Sequence, residues 1–493
     1  MGIDIDKVSF TEAEYAAFSE RLTDNLAGLQ SLLSRPGFGE SSGSLGAELE
    51  IYIVDDAGRP LHRNEEILAM ANDPQLTLEL NRYNLEYNLS PYGFPQQPFE
   101  RTEREILTKL ATASELAASF AGRIVATGIL PTLTKEDFGS HSMTARKRYQ
   151  ALVRQLVERR GSDFTIDING EDPLRLAMAD ITLEGANTSF QVHYRVNPDV
   201  YAETFNAFQL MTPVALAMAA NSPTLFGHRL WRETRIPLFK QSIDTRRTDR
   251  YSWHEPARVN FGNGWVRRDA LELFAEAARL YPPLLPLCSA DSAEHQLSRG
   301  EVPGLDELRL HQSTVWLWNR PIYDDAQGGQ LRVEMRALPA GPSAIDMVAN
   351  AAFLIGLAEG IRPNINALLP ALPFHMAEYN FYRAAQHGMQ ARLIWPRVDQ
   401  NGCAEQSVTT LVEELLPLAR QGLLSIGTSA EEVDRYLGVI NARLAVGRTG
   451  ADWQLGRVSQ LESKLSRREA LQVMLEEYMR YSAENRPVAE WPL

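Results

Sequence analysis

Two glutamates one residue apart, Glu48 and Glu50, are the pair in this sequence best suited to chemistry. They lie in segment 46–55, where apolar and polar residues alternate as in a β-strand. Side chains alternate between the faces of a strand, so both carboxylates point from one face, about 7 Å apart, opposite Leu49 and Ile51. An enclosed face would require divalent metal, bound Arg or Lys, or raised pKa values, whereas a solvated face would require none of these.

Three further segments, 80–89, 188–196 and 331–336, repeat this two-faced pattern. Each places large apolar residues on one face and polar residues on the other. The polar faces of the four predicted strands carry Glu48, Glu50, Glu86, Gln191, His193, Arg195, Arg332, Glu334 and Arg336. These faces could form one wall of a site.

Carboxylates and a histidine are ligands that suit Mg²⁺ or Mn²⁺, and interspersed arginines suit phosphate oxygens. The combination predicts a metal–nucleotide site. The alternative is that the strands belong to different sheets and form scattered surface ion pairs. Arg235 and Arg246, in an arginine-rich stretch, are further candidates for phosphate or carboxylate contacts, or they belong to a solvated helix face.

Helices are predicted on both sides of the four strands in the sequence, and this combination predicts an α+β protein. Apolar spacing predicts an opening helix over 11–34, and Thr11 and Glu14 form a candidate capping box. Beyond Pro342 the pattern is helical almost to the end, including one helix over 460–485. We expect a catalytic core over 1–375, with the N-terminal helix, and a helical C-terminal region over 376–493 packed on that core.

Composition and charge argue against a nucleic-acid-binding, disulfide-rich or membrane protein. The 493 residues carry a formal net charge of -14, which repels polyanions and argues against nucleic-acid binding. The two cysteines give no disulfide framework, which suits a reducing compartment. Residues 1–7 lack the apolar stretch of a signal peptide, and no run approaches the length of a membrane helix. We therefore expect a cytoplasmic protein without membrane contact.

Four spaced motifs occur in order along the chain: Gly46-x-Glu48-x-Glu50, then residues 189–193, 318–320 and 332–336. Together they resemble the glutamate–cysteine ligase type 2 family of carboxylate-amine ligases. The resemblance runs from about residue 46 to about residue 350, and the stretches 221–223 and 244–246 are also similar.

The resemblance implies a glutamine-synthetase-like fold, in which a curved antiparallel sheet forms a funnel for ATP, Mg²⁺ or Mn²⁺, and an amino acid. The metal ligands it implies are Glu48, Glu50, Glu86, His193 and Glu334, with Glu79 matched only by spacing. It assigns catalytic roles to Arg336, which would face the transferred phosphate, and to Arg332 and Glu334. Substrate or nucleotide contacts would fall to Arg246, Arg235, Gln191 and Arg195.

The activity implied is ATP-dependent ligation of glutamate to cysteine through an acyl phosphate, a step of glutathione biosynthesis. The partners would be small molecules, namely ATP, a carboxylate and an amine, and the sequence leaves a homo-oligomeric state open. A guanidino kinase shares the metal–ATP sheet and is the first alternative. A non-catalytic protein that binds nucleotide or amino acid on the same scaffold is the second. The sequence does not identify the amine.

Overall fold

The computed structural model describes residue 5 and residues 7–247, 256–396 and 402–493. Residues 1–4 and 6, which belong to the segment on which the expectation of no signal peptide rests, lie outside the described residues. In the described part the protein combines one curved antiparallel sheet with many helices, which confirms the predicted α+β class.

The strands are β1 Ser44–Val54, β2 Leu76–Leu78, β3 Asn84–Gly93, β4 Arg123–Val125, β5 Phe164–Ile168, β6 Leu174–Met178, β7 Phe190–Val196, β8 Thr224–Leu225, β9 His228–Arg229, β10 Val259–Asn260, β11 Trp316–Leu317, β12 Asn319–Asp324, β13 Gln330–Met335, β14 Arg392–Pro396 and β15 Cys403–Ser407. The helices are α1 Glu12–Leu33, α2 Asn64–Ala71, α3 Pro98–Ala118, α4 Lys147–Arg160, α5 Tyr201–Ala219, α6 Arg235–Ser242, α7 Leu271–Leu280, α8 Ala293–Ser298, α9 Asp306–Gln312, α10 Ala344–Ile361, α11 Ile365–Leu368, α12 Phe374–His387, α13 Val408–Ser425, α14 Ala430–Val446, α15 Gly450–Leu461 and α16 Arg467–Ala483.

Seven strands form the central sheet in the order β12-β13-β7-β1-β3-β2, with β4 paired to the far end of β1. The four strands whose polar faces were predicted to meet are thus neighbours in one sheet. Their apolar faces are buried, with Leu49, Leu85, Val192 and Val333 all 0% exposed. This burial fixes the register, because a shift by one residue would turn the charged faces into the core.

Helix α10 is the central helix behind this core. Its residues from Ala344 to Glu359 are almost all buried, and it packs against α5, α13 and α14. Among the described residues, the stretch Ala344–Ala371 is long and apolar enough to cross a membrane by length and composition alone, and 83% of its most apolar window is buried within the protein. It therefore serves here as a core helix.

Two glycines of α10, Gly356 and Gly360, let α13 approach closely. A Cβ on Gly356 would lie 2.5 Å from the carbonyl oxygen of Ala419, and a Cβ on Gly422 of α13 would collide with the carbonyl oxygen of Gly356. The two helices touch through their backbones.

The C-terminal helices return to the loop that follows α5. Asn221 donates hydrogen bonds to the hydroxyl of Tyr478 on α16 (2.8 Å) and to the carbonyl oxygen of Ala340 (2.8 Å). Gln454 on α15 donates to the side-chain oxygen of Asn221 (2.9 Å), and the Tyr478 hydroxyl donates to the carbonyl oxygen of Ala126 (2.9 Å). All of these groups are buried, so the last helices complete the core around this loop.

Three element boundaries differ from the prediction. The strand expected over 80–89 begins at Asn84, because residues 81–84 form a turn closed by a bond from Asn84 N–H to the Asn81 carbonyl. The segment 313–320 is rich in strand-forming residues and predicts a single strand, but it divides into β11, which pairs in parallel with β10, and β12, which forms the hairpin with β13. The single helix expected over 460–485 is two helices, and Ser466 caps the second. The capping box of Thr11 and Glu14 is confirmed.

Candidate active site

A cavity of about 630 Å³ lies over the polar face of the sheet. Cross-strand pairing arranges its floor: Glu50 lies opposite Glu86, Glu48 opposite Gln191, and Glu334 opposite His193. Of the residues predicted for the site, the cavity is lined by Glu48, Glu50, Glu79, Glu86, Gln191, Arg332, Glu334 and Arg336.

One group of potential metal ligands consists of Glu48, His193 and Glu334. Their ligand atoms lie within 4.8 Å of one another. Nε2 of His193 is 3.1 Å from a Glu48 oxygen and 3.7 Å from a Glu334 oxygen. The contact with Glu48 is within hydrogen-bond distance but lacks the geometry of a hydrogen bond, and the buried nitrogen has no other partner among the described residues. It is therefore available to a ligand between the two carboxylates.

A second group consists of Glu50, Glu79 and Glu86, whose ligand atoms also lie within 4.8 Å of one another. Glu86 accepts hydrogen bonds from Asn88 (3.0 Å) and Thr77 (3.2 Å). The sequence matched Glu79 to the family only by its spacing, and the structure places its carboxylate beside those of Glu50 and Glu86.

Hydrogen bonds connect Glu50 to Arg336 across the sheet. Its two carboxylate oxygens accept from the Ser189 backbone N–H (2.6 Å) and from the Gln191 amide (2.7 Å). The amide oxygen of Gln191 accepts in turn from Arg336. Gln191 thus fixes the position of both charged groups.

Glu334 is surrounded by cations. Both of its oxygens accept from the guanidinium of Arg320 (2.6 and 2.9 Å), and Arg336 lies 3.4 Å away. Burial favours protonation, but Arg320 and Arg336 hold the pKa of Glu334 far below its usual value. Burial also favours protonation of Glu48, whose pKa His193 nevertheless keeps below its usual value.

The second carboxylate group has the opposite electrostatics. Burial, followed by the charges of Glu48 and Glu50, raises the pKa of Glu86 to about 8. Burial and the charge of Glu86 raise the pKa of Glu79 well above its usual value. Glu184, a further cavity residue, has its pKa raised to about 7 by burial and by Glu50. These carboxylates lack sufficient positive charge, so they favour a bound cation or protons.

Both groups fit Mg²⁺ or Mn²⁺. Their donors are carboxylate oxygens with one imidazole nitrogen, as these hard cations prefer. A cation at the first group would give Nε2 of His193 a partner. A cation at the second group would offset the repulsion that raises the pKa of Glu86. Glu334 differs from the other ligands, since Arg320 already contacts both of its oxygens and a cation would share this carboxylate with the guanidinium.

Arg195 and Arg332 lie opposite each other on β7 and β13, on the same face as His193 and Glu334. Arg332 lines the cavity and pairs with Asp324 (3.0 Å). Burial, followed by the charge of Arg332, lowers the pKa of Arg195.

Arg235 and Arg246 are not brought to the cavity. Arg235 is 2% exposed and bonds to Glu233 (2.7 Å) and to the carbonyl oxygen of Ala337 (2.6 Å). Arg246 pairs with Asp244 (2.8 Å) and lines a separate cavity of about 430 Å³. Their roles in binding substrate remain predictions that these contacts do not support.

Two residues of the site were missed in the sequence. Arg320 lies in β12 directly opposite Glu334, and alternation along 319–324 could have indicated its face. Glu184 lies in the 3-10 helix Thr182–Ala186, where no strand periodicity exists to indicate its direction.

A comparison with protein-family models matches residues 44–477 to glutamate-cysteine ligase family 2. A search of curated proteins found no match. The family match extends beyond the region 46–350 in which the sequence motifs lie.

Three solved structures are also similar to this chain. A glutamate–cysteine ligase from Francisella tularensis in complex with AMP has a TM-score of 0.52 and 12% identity, covering 92% of this chain and 91% of that chain. A bifunctional glutathione synthetase from Pasteurella multocida has a TM-score of 0.45 and 13% identity, covering 94% and 55%. The ligase PafA, in complex with the ubiquitin-like protein Pup, has a TM-score of 0.40 and 11% identity, covering 87% and 71%. The first of these shows the shared fold, and the glutamine-synthetase-like sheet predicted above is confirmed.

Proposed function

Because the chain belongs to glutamate-cysteine ligase family 2, we propose that it is an ATP-dependent carboxylate-amine ligase that joins glutamate to cysteine through an acyl phosphate. The observation that carries the proposal is the pair of ligand groups, Glu48–His193–Glu334 and Glu50–Glu79–Glu86, of which the five glutamates line one cavity. Two cations held side by side suit phosphoryl transfer.

Cations bound at the two groups would offset the negative charge of the phosphates and of the substrate carboxylate. Six residues would hold them: Glu48, Glu50, Glu79, Glu86, His193 and Glu334. Gln191 and Arg320 act behind these ligands, since they fix Glu50 and Glu334 by hydrogen bonds of 2.6 to 2.9 Å.

Arg336 is the group that we assign to the transferred phosphoryl. Its guanidinium is held by Gln191 and Glu334, and it lies between the two ligand groups on the wall of the cavity. A planar guanidinium can donate two hydrogen bonds to phosphate oxygens.

In the first step a γ-carboxylate oxygen of glutamate attacks the γ-phosphorus of ATP, and ADP leaves with the electrons of the broken P–O bond. In the second step the cysteine nitrogen attacks the acyl carbon, phosphate leaves, and the nitrogen loses a proton. The activated intermediate makes displacement at the carboxylate easier.

The experiment intercepts that intermediate. We expect Mg-ATP and glutamate to yield a hydroxamate when hydroxylamine replaces the amine, and ADP to form in equal amount. Arg336→Lys should reduce hydroxamate formation by about 10²-fold, because lysine keeps the charge but loses the planar donor pair. Arg392→Lys, at an exposed pair with Glu405, is the matched control and should retain the wild-type rate.

A guanidino kinase would release ADP only with a guanidino substrate and would form no hydroxamate. A binding protein would release no ADP at all. The ligase proposal is wrong if folded, metal-loaded protein yields no hydroxamate from glutamate, aspartate or related acids.

A further inference from the structure

A second cavity, of about 420 Å³, lies apart from the candidate active site and shares none of its lining residues. Its walls come from four segments that are far apart in the sequence, namely the chain at Arg59, residues 131–134 after β4, the turn between β8 and β9, and the start of α16. Proteins bind single small molecules in cavities of about 300–1,000 Å³. The cavity is therefore large enough for a ligand of its own.

Hydrogen bonds within the protein hold these walls in place. Arg59 donates to the carbonyl oxygen of Thr132 (2.5 Å), which joins the first two segments. Arg467 at the start of α16 donates to the carbonyl oxygen of Gly227 (3.1 Å), which joins this helix to the turn between β8 and β9. The protein thus forms the cavity before any ligand binds, as is usual for small-molecule sites.

One wall is an aromatic side chain on a strained backbone. Phe226 and Gly227 form the two-residue turn between β8 and β9, and both have positive φ angles, 53° and 78°. Glycine and asparagine adopt this conformation readily, whereas an aromatic residue there strains the backbone. The Phe226 ring packs against Phe138 (5.6 Å between ring centroids) and lines the cavity together with Leu133 and Leu471. Because strained residues cluster at sites that bind ligands, this ring indicates a ligand with a planar, apolar surface.

The charged groups of the lining are mainly cations. They are the guanidiniums of Arg59, Arg467 and Arg468 and one carboxylate, that of Asp172. Asp172 pairs with Arg467, and Arg59 pairs with Asp137, which lies outside the lining (2.8 Å). The side chain of Arg468 has no hydrogen bond and no ion pair among the described residues. A positive charge is therefore left for a ligand at this apolar cavity, in a chain whose net charge is -14.

The same charges argue against a ligand with an ammonium group. An ammonium requires an acceptor carboxylate, and the carboxylate of Asp172 is already paired with Arg467. A carboxylate on the ligand would instead gain charge-assisted hydrogen bonds from Arg468 and from Nη2 of Arg467, which donates to no acceptor in the described part of the chain. The lining thus complements an anion.

We propose that this cavity is a second ligand site, separate from the candidate active site, for a small aromatic carboxylate without an ammonium group. The ring of the ligand packs on Phe226 and Leu471, and its carboxylate faces Arg468. The proposal does not depend on the ligase activity, because the two cavities share no residue.

The probe is para-fluorophenylpropionate, and its binding to the full chain is measured by fluorine NMR. We expect it to bind at least about tenfold more tightly than its neutral amide, which lacks the negative charge. It should exceed para-fluorophenylalanine by a similar factor, since the amino acid differs only by the added ammonium. Saturating Mg-ATP and glutamate should leave the binding constant within about twofold, because they occupy the other cavity.

Two variants test the two halves of the site. Arg468→Gln should weaken binding of the propionate about fivefold and leave binding of the amide unchanged, because it removes only the charge. Phe226→Asn should weaken binding of both compounds about fivefold, because it removes the ring, while asparagine suits the positive φ of the turn. Lys464→Gln is the matched control, since Lys464 is an exposed cation just before α16 that does not line the cavity. It should change neither binding constant.

Three results would overturn the inference: equal binding of the propionate and the amide by wild-type protein, displacement of the propionate by Mg-ATP and glutamate, or wild-type binding by both variants. Binding of para-fluorophenylalanine as tight as that of the propionate would contradict the proposed class of ligand. Thermal unfolding establishes that each variant is folded. If Phe226→Asn is destabilised, Arg468→Gln decides alone, because its side chain is exposed and contacts no protein group that folding requires.

Discussion

At the scale of single residues, Glu334 is where the charges of the site meet. Its buried carboxylate contacts Arg320, Arg336 and His193, and its side chain is 1% exposed. Two guanidiniums therefore depend on one carboxylate, and removing its charge affects both the chemistry and the fold.

We expect Glu334→Gln to reduce ADP release by at least about 10²-fold and to lower the free energy of unfolding by about 3–5 kcal/mol, because Arg320 and Arg336 lose their counter-charge. Steady-state ADP release and urea unfolding measure the two effects. Glu405→Gln, at a half-exposed pair with Arg392, is the control and should change neither. A Glu334→Gln protein with near wild-type turnover would remove this residue from the site.

Single residues also show how far sequence reasoning reaches. Alternation along β1 placed Glu48 and Glu50 on one face because a period of two is a local property of the chain. It could not place His193 beside Glu334, since their approach depends on the pairing of β7 with β13, which are far apart in the sequence. Glu184 has no periodic neighbours, and only the folded chain brings it to the cavity.

At the scale of elements, the contact between α10 and α13 depends on glycine. Gly356, Gly360 and Gly422 bring the two backbones together, so the interface has no room for a methyl group. The helical pattern beyond Pro342 predicted helices in this region, but it does not reveal such a contact, because glycine in a helix normally only weakens it.

We expect Gly422→Ala to lower the free energy of unfolding by about 1–3 kcal/mol, even though alanine favours a helix, because the new Cβ would meet backbone atoms that cannot move aside. Gly438→Ala in α14 is the matched control, since a Cβ at this position would meet no atom of the described residues within 4 Å. That variant should raise the free energy of unfolding by about 0.5–1 kcal/mol. Urea unfolding measures both, and an equal gain in stability at both positions would contradict the packing argument.

Element boundaries were predicted less well than element types. The segment 313–320 predicts one strand because it is rich in strand-forming residues, yet β11 and β12 pair with different partners. The break between α15 and α16 lies in a polar stretch where Ser466 and Glu469 form a capping box, a signal that the sequence does contain.

At the scale of the whole molecule, the fold buries several carboxylates of the cavity close together, although burial and mutual repulsion disfavour their charged forms. Glu86 has an ordinary pKa of 4.5 and a folded-state pKa of about 8. Between these values the folded protein binds more protons than the unfolded chain. The stabilising contribution is therefore complete below about pH 4.5 and is lost as the pH rises through about 8.

We expect metal-free protein in EDTA to lose stability as the pH rises from about 5.5 to about 8.5, and saturating Mg²⁺ to reduce that slope, because the cation replaces the protons. Glu86→Gln should flatten the slope in EDTA, since its amide does not titrate. Thermal unfolding at several pH values measures this, with Glu405→Gln as the control. A slope that neither Mg²⁺ nor Glu86→Gln changes would show that these carboxylates do not bind metal.

ADP release in excess EDTA should cease.

The hydrogen bonds between Asn221 and the last helices have a consequence for synthesis. Asn221 and Tyr478 are separated by 257 residues. At a translation rate of roughly 5–20 residues per second, the nascent chain must wait on the order of ten seconds to a minute between the two. During that interval the polar groups of the loop after α5 lack their protein partners, and the apolar α10 leaves the ribosome before α13 and α14 can cover it. We therefore expect the growing chain to expose apolar surface, and to be prone to aggregation, until α13 and α14 have been synthesised.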